Sequence, residues 1–341
     1  MSTDSFGNIY TTGTFIGTAD FDPGVGSYPL TTFNWDPFYP KTDFFVSKLN
    51  SNGLFLWAKA IGGKNDDQGS SIAADEIGNT YITGFYYDKV DFDPNGGIQE
   101  HTASIINSLP RKEIFVLKLD PYGSLLWVKS IGNIRTEEGK SVIIGPFGDL
   151  LVTGTFSGTV DFDPGQAIVQ YTASANYDAF ILKMDVLGNL IWAKANIPEE
   201  TSITLDADAN LYLAGTFYGK VDFDPGPDTF FVSSHPGGYP DMYIQKINVQ
   251  GGLEWVVPFR DKGNAWVSGS SITTDKVGNI FLTGSFLHTV DFDPGADSLF
   301  DTAIPPAGYI LKLSPNKFVG IETPKQSSAV NIYIQIQQMV S

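Results

Sequence analysis

A five-residue string, Asp-Phe-Asp-Pro-Gly, constrains the fold of this chain more than any other feature of its sequence. It occurs at residues 20–24, 91–95, 161–165, 222–226 and 291–295, with Asn95 in place of the last glycine of the second copy. The first aspartates of successive copies are 71, 70, 61 and 69 residues apart. A near-constant period of this length indicates that one supersecondary structure has been copied five times.

The second repeat shows the pattern of strands that the other repeats share. Short runs rich in β-branched and aromatic residues are typical of strands, and they are separated by turn sequences such as 75–79 and 120–123. The predicted strands of this repeat are 70–74, 80–85, 90–94, 114–119 and 125–129. The last of these carries a tryptophan, Trp127, that recurs as Trp57, Trp192 and Trp255. No segment has a sustained 3.6-residue period, so the sequence predicts an all-β protein.

Four strands that are apolar on both faces fit the blades of a β-propeller, because each blade packs between two neighbours. The sequence therefore predicts a propeller of five repeat units with mostly four-stranded antiparallel blades, in a domain that spans 1–316. The predicted repeats cover approximately 1–62, 69–132, 139–195, 201–257 and 269–313. The first repeat is expected to lack its opening strand and the fifth its tryptophan strand. An open arc of a larger propeller and a solenoid are the alternatives to a closed ring.

The composition excludes several classes of function. The net charge is −17, with 21 Lys and Arg against 38 Asp and Glu, which argues against binding to nucleic acid phosphates and permits cations or basic partners. The chain has no cysteine, so disulfides, thiolate metal sites and cysteine nucleophiles are ruled out. No run of about 18 apolar residues exists, so we expect no membrane span. We also expect the protein to be a monomer. Because the sequence begins within a repeat, we expect a fragment of a longer protein.

Three stretches together resemble the SBBP family of bacterial β-propeller repeats, namely 69–84, 178–183 and 185–194. The resemblance covers roughly residues 4–313. It implies a secreted or surface-exposed bacterial propeller without enzymatic activity, and it carries no shared catalytic set. The tail from 317 to 341 is predicted to be either an edge strand or a sorting segment. The sorting segment is suggested by residues 319–333, which are similar to the start of a C-terminal signal of the type IX secretion system.

The repeated aspartates allow two interpretations. Residues two apart in a strand share a face, so Asp161 and Asp163 point the same way. The first interpretation is a turn in which the carboxylates cap free N–H groups. The second is one weak extracellular Ca²⁺ site in each repeat, with oxygen ligands. Its candidate ligands are Asp20, Asp22, Asp91, Asp93, Asp161, Asp163, Asp222, Asp224, Asp291 and Asp293. No other cofactor is expected.

Two further groups of residues suggest binding. Aromatic residues crowd the loop of the first repeat, and Trp35, Phe38 and Tyr39 are candidate ligand-binding residues, since exposed rings stack on sugars; packing of the loop on its own sheet is the alternative. Acidic pairs precede three opening strands, at 66–67, 137–138 and 199–200. We expect them to form a solvated acidic rim, or else to meet a basic partner.

Catalysis has little support in the sequence. The histidines, His101, His235 and His288, occupy different positions in their repeats and have no metal-ligand spacing. An active site should interrupt the repeat with polar residues, and no convincing interruption is visible. The sequence therefore predicts a binding scaffold for an unidentified protein or glycan, at the cell surface or outside the cell. A calcium-stabilised carbohydrate-binding module is the second hypothesis, and a glycan-active enzyme is the third.

Overall fold

Strands make up all the regular structure that the computed structural model describes. The described residues are 1–34, 36–106, 109–133, 135–174, 176–198, 200–226, 228–236, 239–259, 265–293 and 298–314. They form two compact units, Met1–Asn196 and a second that begins at Ile197. Within the described ranges no helix is long and apolar enough to cross a membrane.

The first compact unit contains three repeats, each built on one antiparallel sheet. The strands of the first repeat are β1 (Ser2–Thr3), β2 (Ile9–Ile16), β3 (Thr18–Asp20), β4 (Pro29–Thr31), β5 (Thr42–Leu49) and β6 (Phe55–Gly63). Its sheet has the order β1-β2-β5-β6, and β3 and β4 form a hairpin between the second and third strands of that sheet. An opening strand is thus present in the first repeat, as the two-residue β1, although the sequence predicted none.

The second and third repeats have complete four-stranded sheets. The strands of the second are β7 (Gln68–Ala74), β8 (Thr80–Tyr87), β9 (Lys89–Asp91), β10 (Glu100–Thr102), β11 (Ile105–Ile106), β12 (Leu109–Pro110), β13 (Lys112–Leu119) and β14 (Leu125–Ile131). Those of the third are β15 (Glu138–Ile144), β16 (Leu150–Phe156), β17 (Thr159–Asp161), β18 (Gln170–Thr172), β19 (Asp178–Met184) and β20 (Leu190–Ile197). The sheet orders are β7-β8-β13-β14 and β15-β16-β19-β20, with β9–β10 and β17–β18 as the intervening hairpins.

The second compact unit contains the fourth and fifth repeats. The fourth has β21 (Glu200–Leu205), β22 (Leu211–Phe217), β23 (Lys220–Asp222), β24 (Phe231–Ser233), β25 (Asp241–Ile247) and β26 (Leu253–Phe259). The fifth has β27 (Trp266–Thr274), β28 (Ile280–Asp291) and β29 (Phe300–Leu313). In the fifth repeat the hairpin continues directly from the sheet, because β28 and β29 pair along almost their whole length. As far as the fifth repeat is described, its sheet has three strands.

A glycine in the second strand of each complete sheet permits close approach of the opening strand. The pairing of β7 with β8 shifts register between Gly69 and Ser71, opposite Gly84. A Cβ atom on Gly84 would lie 1.8 Å from the carbonyl oxygen of Gln68. The same clash would arise at Gly154, 2.0 Å from the oxygen of Glu138. The glycine at this position is therefore required by a β-bulge.

In the second to fifth repeats the core of the hairpin is the phenylalanine of the repeated string. Phe162 is fully buried, and its ring centroid lies 5.1 Å from that of Phe156 and 5.0 Å from that of Phe180. Phe92, Phe223 and Phe292 are equally buried. The string therefore anchors the hairpin on the sheet through its central aromatic ring.

Neighbouring sheets of the first compact unit are joined through the tryptophan strands. Trp57 Nε1 donates a hydrogen bond of 3.0 Å to the carbonyl oxygen of Pro121 in the next repeat. Trp127 Nε1 donates in the same way to the carbonyl oxygen of Val186, at 3.1 Å. The opening strand β7 packs against both β2 and β15. The sheets thus stack face to face, as predicted for blades.

Replacing Phe162 by Ala should destabilise the protein by about 3–5 kcal/mol, because it removes a buried ring and leaves a cavity. Urea unfolding followed by tryptophan fluorescence measures the change. Phe147→Ala is the matched control, since Phe147 is 71% exposed and its loss should change stability little. Equal effects of the two substitutions would contradict the anchoring role of Phe162.

Candidate functional site

The aspartates of the repeated string act as caps for backbone N–H groups. Asp161 Oδ1 accepts hydrogen bonds from the N–H of Asp163 at 3.1 Å and from the N–H of Val169 at 2.9 Å. Asp163 Oδ1 accepts from the N–H of Gly165 at 2.6 Å. The two carboxylates therefore close the loop that joins β17 to β18.

The same bonds recur in the other repeats. Asp20, Asp91, Asp222 and Asp291 each accept from the N–H groups two and eight residues later, at 2.7–3.1 Å. Asp22, Asp93 and Asp224 each accept from the N–H two residues later, at 2.7–2.9 Å. The N–H of Tyr28 is the largest influence that lowers the pKa of Asp20 below its ordinary value. These bonds bear out the capping interpretation.

The calcium interpretation stays a prediction. The described residues include no cluster of three or more Asp, Glu or His side chains arranged to hold a metal ion. Any cation at these loops would have to share carboxylate oxygens with the backbone N–H groups, or use the second oxygen of each carboxylate.

Asp161→Ala should destabilise the protein by about 1–2 kcal/mol, because two backbone N–H groups lose their acceptor. Asp161→Asn keeps an acceptor oxygen and should lose less. Thermal unfolding of both variants measures the difference, with and without millimolar CaCl₂. A calcium-dependent rise in the melting temperature of the wild type that Asp163→Asn reduces would favour the calcium interpretation. Equal losses in the Ala and Asn variants would contradict capping.

Two of the three aromatic candidates are exposed on the first repeat. Asp36 Oδ1 accepts from the N–H of Phe38 at 2.8 Å and from that of Tyr39 at 3.4 Å. The rings of Phe38 and Tyr39 are 84% and 77% exposed, so packing on the sheet does not account for them. Trp35 lies outside the described residues. Tyr28 of the same loop does pack on the sheet, with its ring centroid 4.8 Å from that of Phe55.

A second set of exposed apolar side chains lies at the opposite edge of the sheets, and the sequence interpretation missed it. The turns from opening to second strand, and from third to tryptophan strand, share this edge because successive strands are antiparallel. In the first compact unit five of these six turns carry an apolar residue at the tip, 64–80% exposed, and the sixth carries Asn52. We call these residues of the first compact unit the turn-tip surface: Phe6, Ile77, Tyr122, Phe147 and Leu187.

The turn-tip surface is held rigidly by backbone bonds. Ile77 and Tyr122 donate their N–H groups to Asp75 and Asp120, the aspartates that begin their turns, at 3.2 and 2.8 Å. The hydroxyl of Ser5 donates to the carbonyl oxygen of Glu76 in the next repeat, at 2.6 Å. The capping bonds direct the tip side chains outward, and the bonds between repeats fix the turns relative to each other.

The acidic pairs do not form a solvated rim, and that prediction is wrong for the two pairs that the structure describes. Asp67 is fully buried and accepts N–H bonds from Gly63 at 2.7 Å and from Tyr87 at 3.0 Å. Its neighbour Asp66 forms an ion pair of 2.8 Å with Lys41. One acid of the pair therefore holds the connection between two sheets from inside.

The second acidic pair repeats this arrangement. Glu137 is fully buried and accepts from the N–H of Asn133 at 3.4 Å. Glu138 forms an ion pair of 3.1 Å with Lys112. In the third pair Glu199 lies outside the described residues.

Each buried acid faces a second buried acid on the preceding sheet. Burial raises the pKa of Asp67 to about 8, and the nearby carboxylate of Asp43 adds to the rise. Burial likewise raises the pKa of Glu137 to about 8, with a contribution from Glu113. Both groups therefore favour the protonated form in the folded protein at neutral pH.

Raised carboxyl pKa values make stability depend on pH with a defined sign. A folded-state pKa above the unfolded value of 4.5 gives Glu137 a stability contribution that is complete below about pH 4.5 and is lost as pH rises towards 8. Glu137→Gln removes this loss, so it should raise the free energy of unfolding at pH 8 relative to the wild type, on the order of a few kcal/mol. Urea unfolding at about pH 5 and about pH 8 measures it.

Glu138→Gln provides the matched control for this test, because Glu138 is half-buried and paired with Lys112. It should not raise stability at pH 8. A Glu137→Gln variant whose stability follows the wild type across the pH range would contradict the buried protonated acid.

Comparison with known proteins gives two relatives. The chain is 25% identical over 244 residues to an uncharacterized WD repeat-containing protein of Acanthamoeba polyphaga mimivirus, a match that covers 63% of this chain and 17% of that protein. It is 27% identical over 188 residues to the regulatory protein FlaEY of Caulobacter vibrioides, covering 53% of this chain and 18% of that protein. The chain thus spans less than a fifth of either relative. No known protein family matches it.

The relatives and the sheets agree on the fold. WD repeats build the four-stranded blades of β-propellers, and the first four repeats of this chain each have a sheet with four strands in sequential order. The chain is an all-β repeat protein with blades of the β-propeller type, as predicted. Closure into a ring, the SBBP type of the repeats and the sorting segment stay predictions.

Proposed function

We propose that the protein is a non-enzymatic scaffold that binds a protein partner through its turn-tip surface. The observation that carries this proposal is the recurrence of exposed apolar residues at equivalent turn tips along one edge of the sheets. Single exposed apolar residues are ordinary on protein surfaces, but concentration on one face marks interaction sites. The WD-repeat relative supports a role in interaction.

The rigidity of this surface favours protein binding. Its turns are closed by capping bonds and joined across repeats, as at Ser5 and Glu76, so little conformational entropy is lost on binding. Aromatic tips such as Phe6, Tyr122 and Phe147 belong to the residue types that are enriched at protein interfaces. The resemblance to SBBP repeats is our reason to propose that this partner lies outside the cell or at its surface.

A photo-crosslinking amino acid at position 77 tests the proposal in cells of the source organism. Ile77 is a tip residue, and the substitution should yield an adduct with one defined protein. Position 168 is the matched control, because Ile168 is 74% exposed but lies in the β17–β18 loop at the opposite edge. Phe6→Ser with Phe147→Ser should abolish the adduct while leaving the melting temperature unchanged. No adduct at 77, or equal adducts at 77 and 168, would overturn the proposal.

A carbohydrate-binding module stabilised by calcium is the second candidate function. It is favoured by the exposure of Phe38 and Tyr39, which Asp36 fixes through their backbone N–H groups. Aromatic rings held in this way stack on the apolar faces of sugars. A glycan array read with and without calcium separates the two candidates: binding by the wild type that is lost in Phe38→Ala with Tyr39→Ala would favour this one.

A further inference from the structure

Three polar side chains interrupt the second repeat at positions that carry other residue types elsewhere. They are Tyr86 in β8, His101 in β10 and Ser130 in β14. The strand registers place these three at the positions of Phe156, Tyr171 and Ala195 in the third repeat, and of Phe217, Val232 and Pro258 in the fourth. The second repeat is therefore interrupted by three polar side chains that contact one another.

The three side chains form a continuous hydrogen-bond chain that ends on a buried carboxylate. His101 Nδ1 lies 2.6 Å from Ser130 Oγ, and Ser130 Oγ lies 3.0 Å from the hydroxyl of Tyr86. Tyr86 donates to Glu113 Oε2 at 3.1 Å. Glu113 Oε1 accepts from both the N–H and the hydroxyl of Ser104, each at 2.8 Å. Three donors thus converge on one carboxylate.

The number of available protons fixes the direction of each bond in the hydrogen-bond chain. Tyr86 has a single proton, and a carboxylate is a better acceptor than a hydroxyl, so the Ser130 hydroxyl donates to Tyr86. Ser130 must then accept at its oxygen from Nδ1–H of His101. His101 Nε2 is left to accept from the side-chain amide of Gln99, at 3.3 Å. This assignment uses a neutral imidazole with its proton on Nδ1.

The environment of His101 favours that neutral state. Burial lowers the pKa of His101, the charge of Glu113 on β13 opposes the shift, and Lys129 on β14 adds to it. The path from the imidazole to Glu113 passes through two hydroxyl groups, so no direct ion pair compensates a positive ring. The remaining titratable groups nearby are Lys89 paired with Glu100 on the hairpin, Asp91, Asp67, Glu137 and Tyr86 itself.

The hydrogen-bond chain attaches the hairpin β9–β10 to its sheet. His101 belongs to the hairpin, Ser104 follows it, and the other members lie on β8, β13 and β14. The hairpin also pairs with the preceding repeat, through Gly62 opposite Asp91. In the third repeat the equivalent Tyr171 donates to the carbonyl oxygen of Ala193 at 2.9 Å, an attachment with no group that titrates near neutral pH.

We propose that this hydrogen-bond chain is a pH-sensitive latch, which holds the β9–β10 hairpin on the second repeat at neutral pH and releases it when His101 takes up a proton. Protonation makes Nε2 a donor, so this nitrogen can no longer accept from the side-chain amide of Gln99. It also places a charge in a half-buried position. Because the folded state disfavours the charged ring, the latch is closed above the ordinary histidine value of about 6.5 and opens as pH falls below it.

Hydrogen exchange followed by mass spectrometry tests the latch on the intact chain. Peptides that cover 89–102 report on the hairpin, and peptides that cover 159–172 report on the equivalent hairpin of the third repeat in the same molecule. Dividing the protection of the first hairpin by that of the second cancels the intrinsic pH dependence of amide exchange, because both hairpins share it. In the wild type this ratio should fall between about pH 7.5 and about pH 5.5.

Two variants separate a latch from an ordinary buried polar contact. Tyr86→Phe, His101→Tyr and Ser130→Ala together give the second repeat the side chains of the third, and the ratio should become independent of pH. His101→Gln keeps a polar group that does not titrate, so its protection ratio should also be independent of pH. This variant decides between a latch and an ordinary polar contact if the triple variant does not fold. A constant ratio in the wild type, or an unchanged pH dependence in His101→Gln, would overturn the proposal.

Discussion

An aspartate oxygen that accepts backbone N–H groups is the interaction on which this structure depends. Asp75 Oδ1 accepts from Ile77 and Asn79 in a strand-to-strand turn, and Asp161 closes a hairpin loop in the same way. Without these acceptors the turns would leave N–H groups unpaired beside packed sheets. Much of the net charge of −17 is therefore structural, and capping aspartates close the turns that carry Phe6, Ile77, Tyr122 and Leu187.

The parts of the fold that local chemistry decides could be predicted from the sequence. The strands, the turns and the anchoring role of Phe162 follow from residue types and their spacing, because each involves contacts within one repeat. Because the repeat occurs five times, strands predicted correctly in one repeat also predict the strands of the others.

The buried acids and the hydrogen-bond chain could not be predicted in this way. Asp67 beside Asp66 has the pattern of a solvated pair, but the N–H groups of Gly63 and of Tyr87, which lie on two different sheets, hold Asp67 inside. His101 and Ser130 are 29 residues apart and meet because the hairpin folds onto β14. A position-by-position comparison of the repeats does contain the signal, since Ser130 stands where the third repeat has Ala195.

The tryptophan bonds between sheets have a consequence for how such chains change in length. Trp57 donates to a main-chain carbonyl of the following repeat, and Trp127 does the same, so the acceptor is a group that every residue carries. A joint of this kind needs no particular polar side chain in the neighbouring turn, only a glycine that leaves room for the indole ring, as Gly123 does for Trp57 and Gly188 for Trp127. Because the tryptophan and the turn glycine recur with the repeat, gene duplication can insert or delete a whole repeat and keep this bond at the new junction.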